Sequence, residues 1–415
     1  MDVGNQPTQV RMRNPPISVL FFSNTTVRAG VEEHILELLR GLDREKFRLY
    51  LACPAELLQK YGNDIPSDVQ VAPILIDRIL DFRGAMQLAR MLRRHKIDIL
   101  HSHQFRASLF ASPVGWFCRV PVIIETSHSC EVWRKGSLKS KYIVDRLAGC
   151  FVDYYIAVSQ ACGDFLAKQK KLPGSKVRVI LNGCNLEKYH PARPVPVDMR
   201  RALGFGEKDP ILVDLGRLEP QKGHHVLLDA MPEVLREFPS ARLVCVGDGI
   251  LREALEKQTD LLGIREAVRF VGYQSNVPDW LAFADFTVLS SYYEGLPLVA
   301  VESLAAGRTM VATAVDGTPD VIINGKTGLT VPPGDSKRMA EAICTLLRNP
   351  ALRQALAQAG RRHVLEAFGS QRFVQETAQL YLDAWDRRLG HPVAPGIGET
   401  GQLTGQPESS IRSEH

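Results

Sequence analysis

Short apolar runs rich in β-formers recur along the chain, with amphipathic stretches of helical period between them. Residues 17–23, 47–53, 97–103, 121–127, 154–159 and 177–182 are near-continuous apolar runs rather than strict alternations. Strands buried on both faces look this way, because parallel sheets carry helices on either side. Between the first two runs, residues 30–42 place Val31, Ile35, Leu38 and Leu39 on one stripe of a helix. The pattern breaks from 185 to 210, where Pro191, Pro194, Pro196 and Pro210 crowd together, and a short helix is expected near 199–203. A second series follows at 211–216, 241–247, 268–272, 286–290, 309–313 and 328–332, and the last stretch before Gly390 reads as paired amphipathic helices. The fold predicted is α/β, with two Rossmann-like doubly wound parallel-sheet domains facing across a cleft.

The expected divisions are a disordered extension over 1–16, a first domain over 17–190 and a linker over 191–210. A second domain over 211–368 follows, then a helix at 369–389 crossing back to the first domain, and a disordered tail over 390–415. Ligands of such sheets bind beyond the carboxyl ends of the strands, so the chemistry should lie between the two sheets.

Composition narrows the function classes. With 415 residues, 45% apolar and 23% charged, the chain suits two globular cores. A net charge of +5 is too mild to imply a nucleic-acid partner. The eight cysteines form no CxxC pair, which argues against a zinc ribbon and for reduced thiols in a cytoplasmic protein. No run approaches the length of a membrane span, and the apolar run at 17–22 is too short for a signal-peptide core. Contact with the inner face of the cytoplasmic membrane stays compatible with Arg90, Arg93, Arg94 and Lys96, and with Arg134, Lys135, Lys139 and Lys141, which lie near Trp133 and the apolar run 107–117. The same charges also suit an ordinary solvated face.

Two constellations carry the chemistry. Glu294 and Glu302 bracket Gly295-Leu296-Pro297, just after a predicted strand and at the mouth of an apolar helix running from about Pro297 to Ala306. Proline at the first helical position is preorganised, and the free amides behind it suit a phosphate. Glu302 could accept hydroxyl hydrogen bonds from a ribose, and Glu294 could reach a sugar. The plain alternative is one loop glutamate and one helix-surface glutamate. Gly216-Arg217-Leu218-Glu219-Pro220-Gln221-Lys222-Gly223 is a strand-to-helix turn with two cations that can converge on one diphosphate. It is not a Walker loop, and Gly247-Asp248-Gly249 lacks the rest of a dinucleotide fingerprint.

With these pieces in their order, the chain resembles the retaining glycosyltransferases of family 4, which have the two-Rossmann GT-B fold. The resemblance spans about residues 17–385 and is supported by 29–38, 125–128, 157–159, 179–191, 246–249, 268–273 and 325–335. It implies an N-terminal acceptor domain and a C-terminal domain for a nucleoside-diphosphate sugar, a co-substrate needing no resident cofactor or metal. It further implies that Arg217 and Lys222 hold the diphosphate, that Glu302 binds the ribose and Glu294 the sugar. Gly216, Gly295, Leu296 and Pro297 would lend backbone to the donor site, Gly30 would admit the diphosphate closely, and His128 would contact the sugar near the reaction centre. His101 and His103 suit a structural or acceptor-side role. Asp320 stands where the family often has glutamate, which favours a helix-entry role over ligand contact. The activity implied is hexosyl transfer to a glycan or lipid-linked hydroxyl, in cell-surface glycan, lipopolysaccharide or glycolipid synthesis. A sugar-nucleotide epimerase of the same fold and a non-catalytic nucleotide-sugar-binding subunit are the alternatives.

Overall fold

In the computed structural model, which describes residues 16–76, 81–130, 140–196 and 198–391, the strands form two wholly parallel sheets. The first holds β1 (Ile17–Phe22), β2 (Phe47–Cys53), β3 (Gln70–Pro73), β4 (Ile99–His103), β5 (Val122–Ser127), β6 (Tyr154–Ala157) and β7 (Val177–Val179), in the order 3-2-1-4-5-6-7. The second holds β8 (Ile211–Leu215), β9 (Arg242–Val246), β10 (Val268–Phe270), β11 (Phe286–Leu289), β12 (Met310–Thr313) and β13 (Leu329–Val331), in the order 10-9-8-11-12-13. Val19 pairs with Leu49 on one side and Ile99 on the other, all with almost no exposed surface, as the unbroken apolar runs require.

Each sheet reverses its winding once, between β1 and β4 and between β8 and β11. At those points the loops leave the strand ends in opposite directions and open a crevice. The two crevices face each other.

Beyond the second sheet, the helix Ser370–Arg388 packs against the helix Gly30–Gly41 of the first domain. Its Phe373 and Tyr381 are wholly buried in one core with Ile17, Phe21, Leu38 and Phe47. Burying such side chains contributes roughly 1.5–3 kcal/mol each, enough to hold this helix on the first domain. A second core runs between the domains, joining Val158 and Phe165 to Leu296, Ala300 and Leu304.

The segments 1–15 and 392–415, and Trp133, Arg134, Lys135 and Lys139, lie outside the described residues, as does the side chain of Lys141.

Candidate active site

The turn after β8 brings its two cations to the crevice by different routes. Gly223 ends the single helical turn Pro220–Lys222 at φ +63°, and a Cβ there would lie 2.3 Å from the Ser290 carbonyl oxygen. Only glycine lets this turn seat against the loop that follows β11. Lys222 Nζ then sits 2.6 Å from Glu294 Oε1, which also accepts from the Ser291 hydroxyl at 2.6 Å. The Glu294 backbone amide donates to Asp316 Oδ2 at 2.9 Å, so the residue is held through its main chain as well as its carboxylate. Arg217 is different: its guanidinium is half exposed and bonded to Glu219 at 2.5 Å. An exposed pair of this kind is worth roughly 0–1 kcal/mol, so Arg217 can exchange its partner for a ligand at little cost.

The helix after β11 runs Leu298–Ala305, with Pro297 as its extended cap rather than its first helical residue, a correction of one position. Ala300 N is the first amide bonded back to Pro297 O, which leaves the amides of Leu298 and Val299 without an intrahelical partner.

These pieces meet in one cavity of about 470 Å³ between the domains. Gly30, His128, Arg217, Lys222, Glu294, Gly295, Leu296 and Pro297 all line it. A Cβ on Gly30 would meet only Leu298 Cδ1, at 3.8 Å, so first-domain backbone faces the helix mouth across open space. Two sequence candidates lie off the cavity. Gly216 sits beneath the Lys222 side chain, with its notional Cβ 3.5 Å from Cδ. Glu302 is one turn further along the helix, bonded to the Tyr189 hydroxyl.

Burial lifts the Glu302 carboxyl to about 7, against an ordinary value of 4.5. Between those pH values the native state holds more protons than the unfolded chain, so this group's contribution falls as pH rises through 7. Glu302→Gln should therefore match the wild type near pH 4.5 and exceed its stability by about 1–3 kcal/mol at pH 8. Urea titrations at the two pH values measure the difference; an equal gain at both would contradict the assignment.

His128, at the end of β5, packs edge-on to His34, and its Nε2 lies 3.1 Å from His103 Nδ1. Burial pushes both His128 and His103 well below the usual imidazole range, so both are neutral at pH 7. His101 is structural: Tyr381 and Thr126 hold its two nitrogens. Asp320 accepts from the Gln160 amide at 2.9 Å, a bond between domains at a helix entry.

The structure adds residues that motif reading missed. Gln104 follows β4 at φ +72°, a conformation side chains rarely adopt, and lines the cavity. Glu32 also lines it, accepting from the Ala29 amide at 2.9 Å while its second oxygen is buried without a partner among the described residues. The rule that ligands gather past β1 and β4 could have flagged both.

Outside this cavity, Met86, Ala89, Arg90, Arg93 and Arg94 line a groove on the helix Phe82–Arg94. That helix packs on Phe105–Phe117, which packs on Ser140–Ala148. The three leave Phe82, Trp116, Phe117 and Leu147 more than half exposed. No helix among the described residues is long and apolar enough to cross a membrane.

Comparison with known proteins bears on this arrangement. The model for "Glycosyltransferase Family 4" matches residues 28–188, and that for "Glycosyl transferases group 1" matches 198–363. Glycogen synthase of Mycobacterium tuberculosis is 30% identical over 302 residues, covering 70% of this chain and 70% of its own. The UDP-Gal:alpha-D-GlcNAc-diphosphoundecaprenol alpha-1,3-galactosyltransferase of Escherichia coli is 24% identical over 365 residues, covering 86% and 94%. Among solved structures, HepE of Anabaena in complex with UDP-glucose superposes with a TM-score of 0.76 at 19% identity, over 88% of this chain and 99% of that one.

Proposed function

Because the chain belongs to the glycosyl transferases group 1, glycosyltransferase family 4, and is a GT-B glycosyltransferase using a nucleoside-diphosphate sugar, we propose that it transfers the sugar with retention to a hydroxyl of a cell-surface glycan, lipopolysaccharide or glycolipid precursor. The observation that carries this reading is the convergence of Arg217, Lys222 and the mouth of the helix Leu298–Ala305 on one cavity opposite Gly30. As the bond from the anomeric carbon to the β-phosphate stretches, charge gathers on the departing oxygen. Fixed positive groups stabilise that state more than the ground state. The two cations do this for the diphosphate without a metal. Glu302, beside Tyr189, takes the ribose; Glu294 and His128 take the sugar from opposite domains, and the backbone of Gly216 and of residues 295–297 supports the donor. The second domain is the donor domain and the first receives the acceptor.

Departure and attack occur on one face of the sugar: the C–O bond to phosphate breaks, the acceptor oxygen bonds to the same carbon, and its proton passes to the departing phosphate. The facing pair of carboxylates that a retaining glycosidase uses is not needed. The experiment is product analysis by NMR with EDTA present, after a thermal-shift panel of nucleotide sugars has picked the donor. Retained anomeric configuration in the presence of chelator is expected. Inversion, or a strict need for added divalent ion, would refute the reading.

A lipid-linked acceptor is supported by the name of the Escherichia coli relative and by the exposed aromatic and basic face on the first domain. That face docks on anionic membrane, its arginines meeting headgroups and Phe82, Trp116 and Phe117 entering the interface. Flotation with phosphatidylglycerol vesicles at low salt should carry the protein upward and high salt should release it; no flotation at low salt contradicts docking.

A further inference from the structure

The ends of β4 and β5 and the helix Gly30–Gly41 bring His34, His103 and His128 together with nitrogens left over. Asn182 Oδ1 accepts from the Gly183 amide at 2.9 Å and lies 2.8 Å from His34 Nδ1. An oxygen there means that Nδ1 carries the ring hydrogen, so His34 Nε2 is a bare lone pair. That Nε2 is buried with no hydrogen-bond partner among the described residues, and so is His103 Nε2. A buried nitrogen left unmet is costly, so each is a place where a ligand bond would be favourable.

One nitrogen from each of the three rings falls within 4.8 Å of the other two. The ring centroids stand 4.9, 5.4 and 5.5 Å apart. Zinc–nitrogen bonds of about 2.0–2.1 Å at tetrahedral angles put two ligand nitrogens roughly 3.3 Å apart. His103 Nδ1 and His128 Nε2 share a hydrogen across 3.1 Å; an ion that takes its place finds two lone pairs at nearly the ligand spacing once each ring carries its hydrogen on the other nitrogen, and small ring rotations bring in the third. We propose that His34, His103 and His128 form a binding site for one zinc-class dication at the edge of the cavity, which His128 lines. Asn182 plays the outer-shell part, orienting His34 by holding its other nitrogen.

This site is on the first-domain side of the cavity, apart from the two cations that face the diphosphate. A bound ion draws the His128 ring toward His34 and His103. If His128 contacts the sugar, as proposed above, zinc then inhibits transfer; metal binding itself does not rest on that reading.

The test uses the full chain without a histidine tag, titrated with Co2+. One ion per chain with the intense visible absorption of four-coordinate cobalt, displaced by zinc, is expected. His34→Gln and His103→Asn should each weaken binding at least about 100-fold, and Asn182→Ala about 10–100-fold. No such absorption in the wild type with cobalt in large excess, or equal affinity in folded His34→Gln and His103→Asn, overturns the site. Should those variants not fold, anomalous scattering from a zinc-soaked wild-type crystal decides: a peak among the three rings supports the site, and ions elsewhere only refute it.

Discussion

Replacing Lys222 with alanine should lower kcat about a hundred- to a thousandfold while the fold persists. That factor corresponds to roughly 3–4 kcal/mol, the usual loss when one preorganised charged donor facing a developing anion is removed. Lys222 is well suited to that part. Its side chain is 17% exposed, its ammonium is fixed by Glu294, and both residues line the cavity. Losing the lysine also leaves Glu294 without its cation, but the Ser291 hydroxyl remains bonded to the same oxygen. The stability cost should therefore stay below the roughly 3–5 kcal/mol of a buried charge stripped of all partners. Arginine should restore little, because its planar fork does not fit a point-charge position. Turnover at saturating donor, with a circular-dichroism melt beside it, measures both quantities. Turnover close to wild type would remove Lys222 from the reaction.

The second large effect belongs to Gly295. A Cβ at this position would lie 1.8 Å from the His128 carbonyl oxygen and 2.8 Å from the carbon that bears it. The obstacle is backbone from the opposite domain, which cannot turn aside as a flexible side chain would. Behind Gly295 the packing is equally tight, since a Cβ on Gly317 would come within 2.0 Å of the Gly295 carbonyl oxygen. Gly295→Ala must therefore push the loops after β5 and β11 apart. Misplacing reacting groups by about 1 Å costs on the order of a hundredfold in rate. A loss of about that size is expected, with each domain's secondary structure unchanged. Gly174→Ala, which meets nothing within 4 Å, serves as the control and should keep full activity. Equal activity of the two variants would show that this contact is not needed for turnover.

What could be read from the chain followed local rules. Parallel strands buried on both faces wrote themselves as apolar runs, and the prolines past Asn185 marked the break between the two series of strands, where the helix Met199–Leu203 stands. The motif around Glu294 and the turn around Lys222 each lie within one loop, so spacing sufficed to pair their parts. The edge strand β3 was missed because its four residues are largely exposed and end in Pro73, which leaves no apolar run to see. Pro113 and Pro232 lie inside helices whose burial outweighs the local penalty. Contacts between distant segments were out of reach. Tyr189 on Glu302 and Tyr381 on His101 depend on how distant segments stack, and the meeting of His34 with His103 and His128 depends on how one helix packs over two strands; no period in the sequence encodes either.

In the proposed reaction, protein cations and one helix mouth hold the diphosphate unaided. Calorimetric titration of UDP, the nucleotide bound in the Anabaena neighbour, into the full chain with EDTA present measures this directly. Binding that weakens as salt rises, and that falls at least about a hundredfold in the Arg217→Ala, Lys222→Ala double variant, is the predicted result. Affinity that survives the double substitution, or that appears only when magnesium is added, would contradict it.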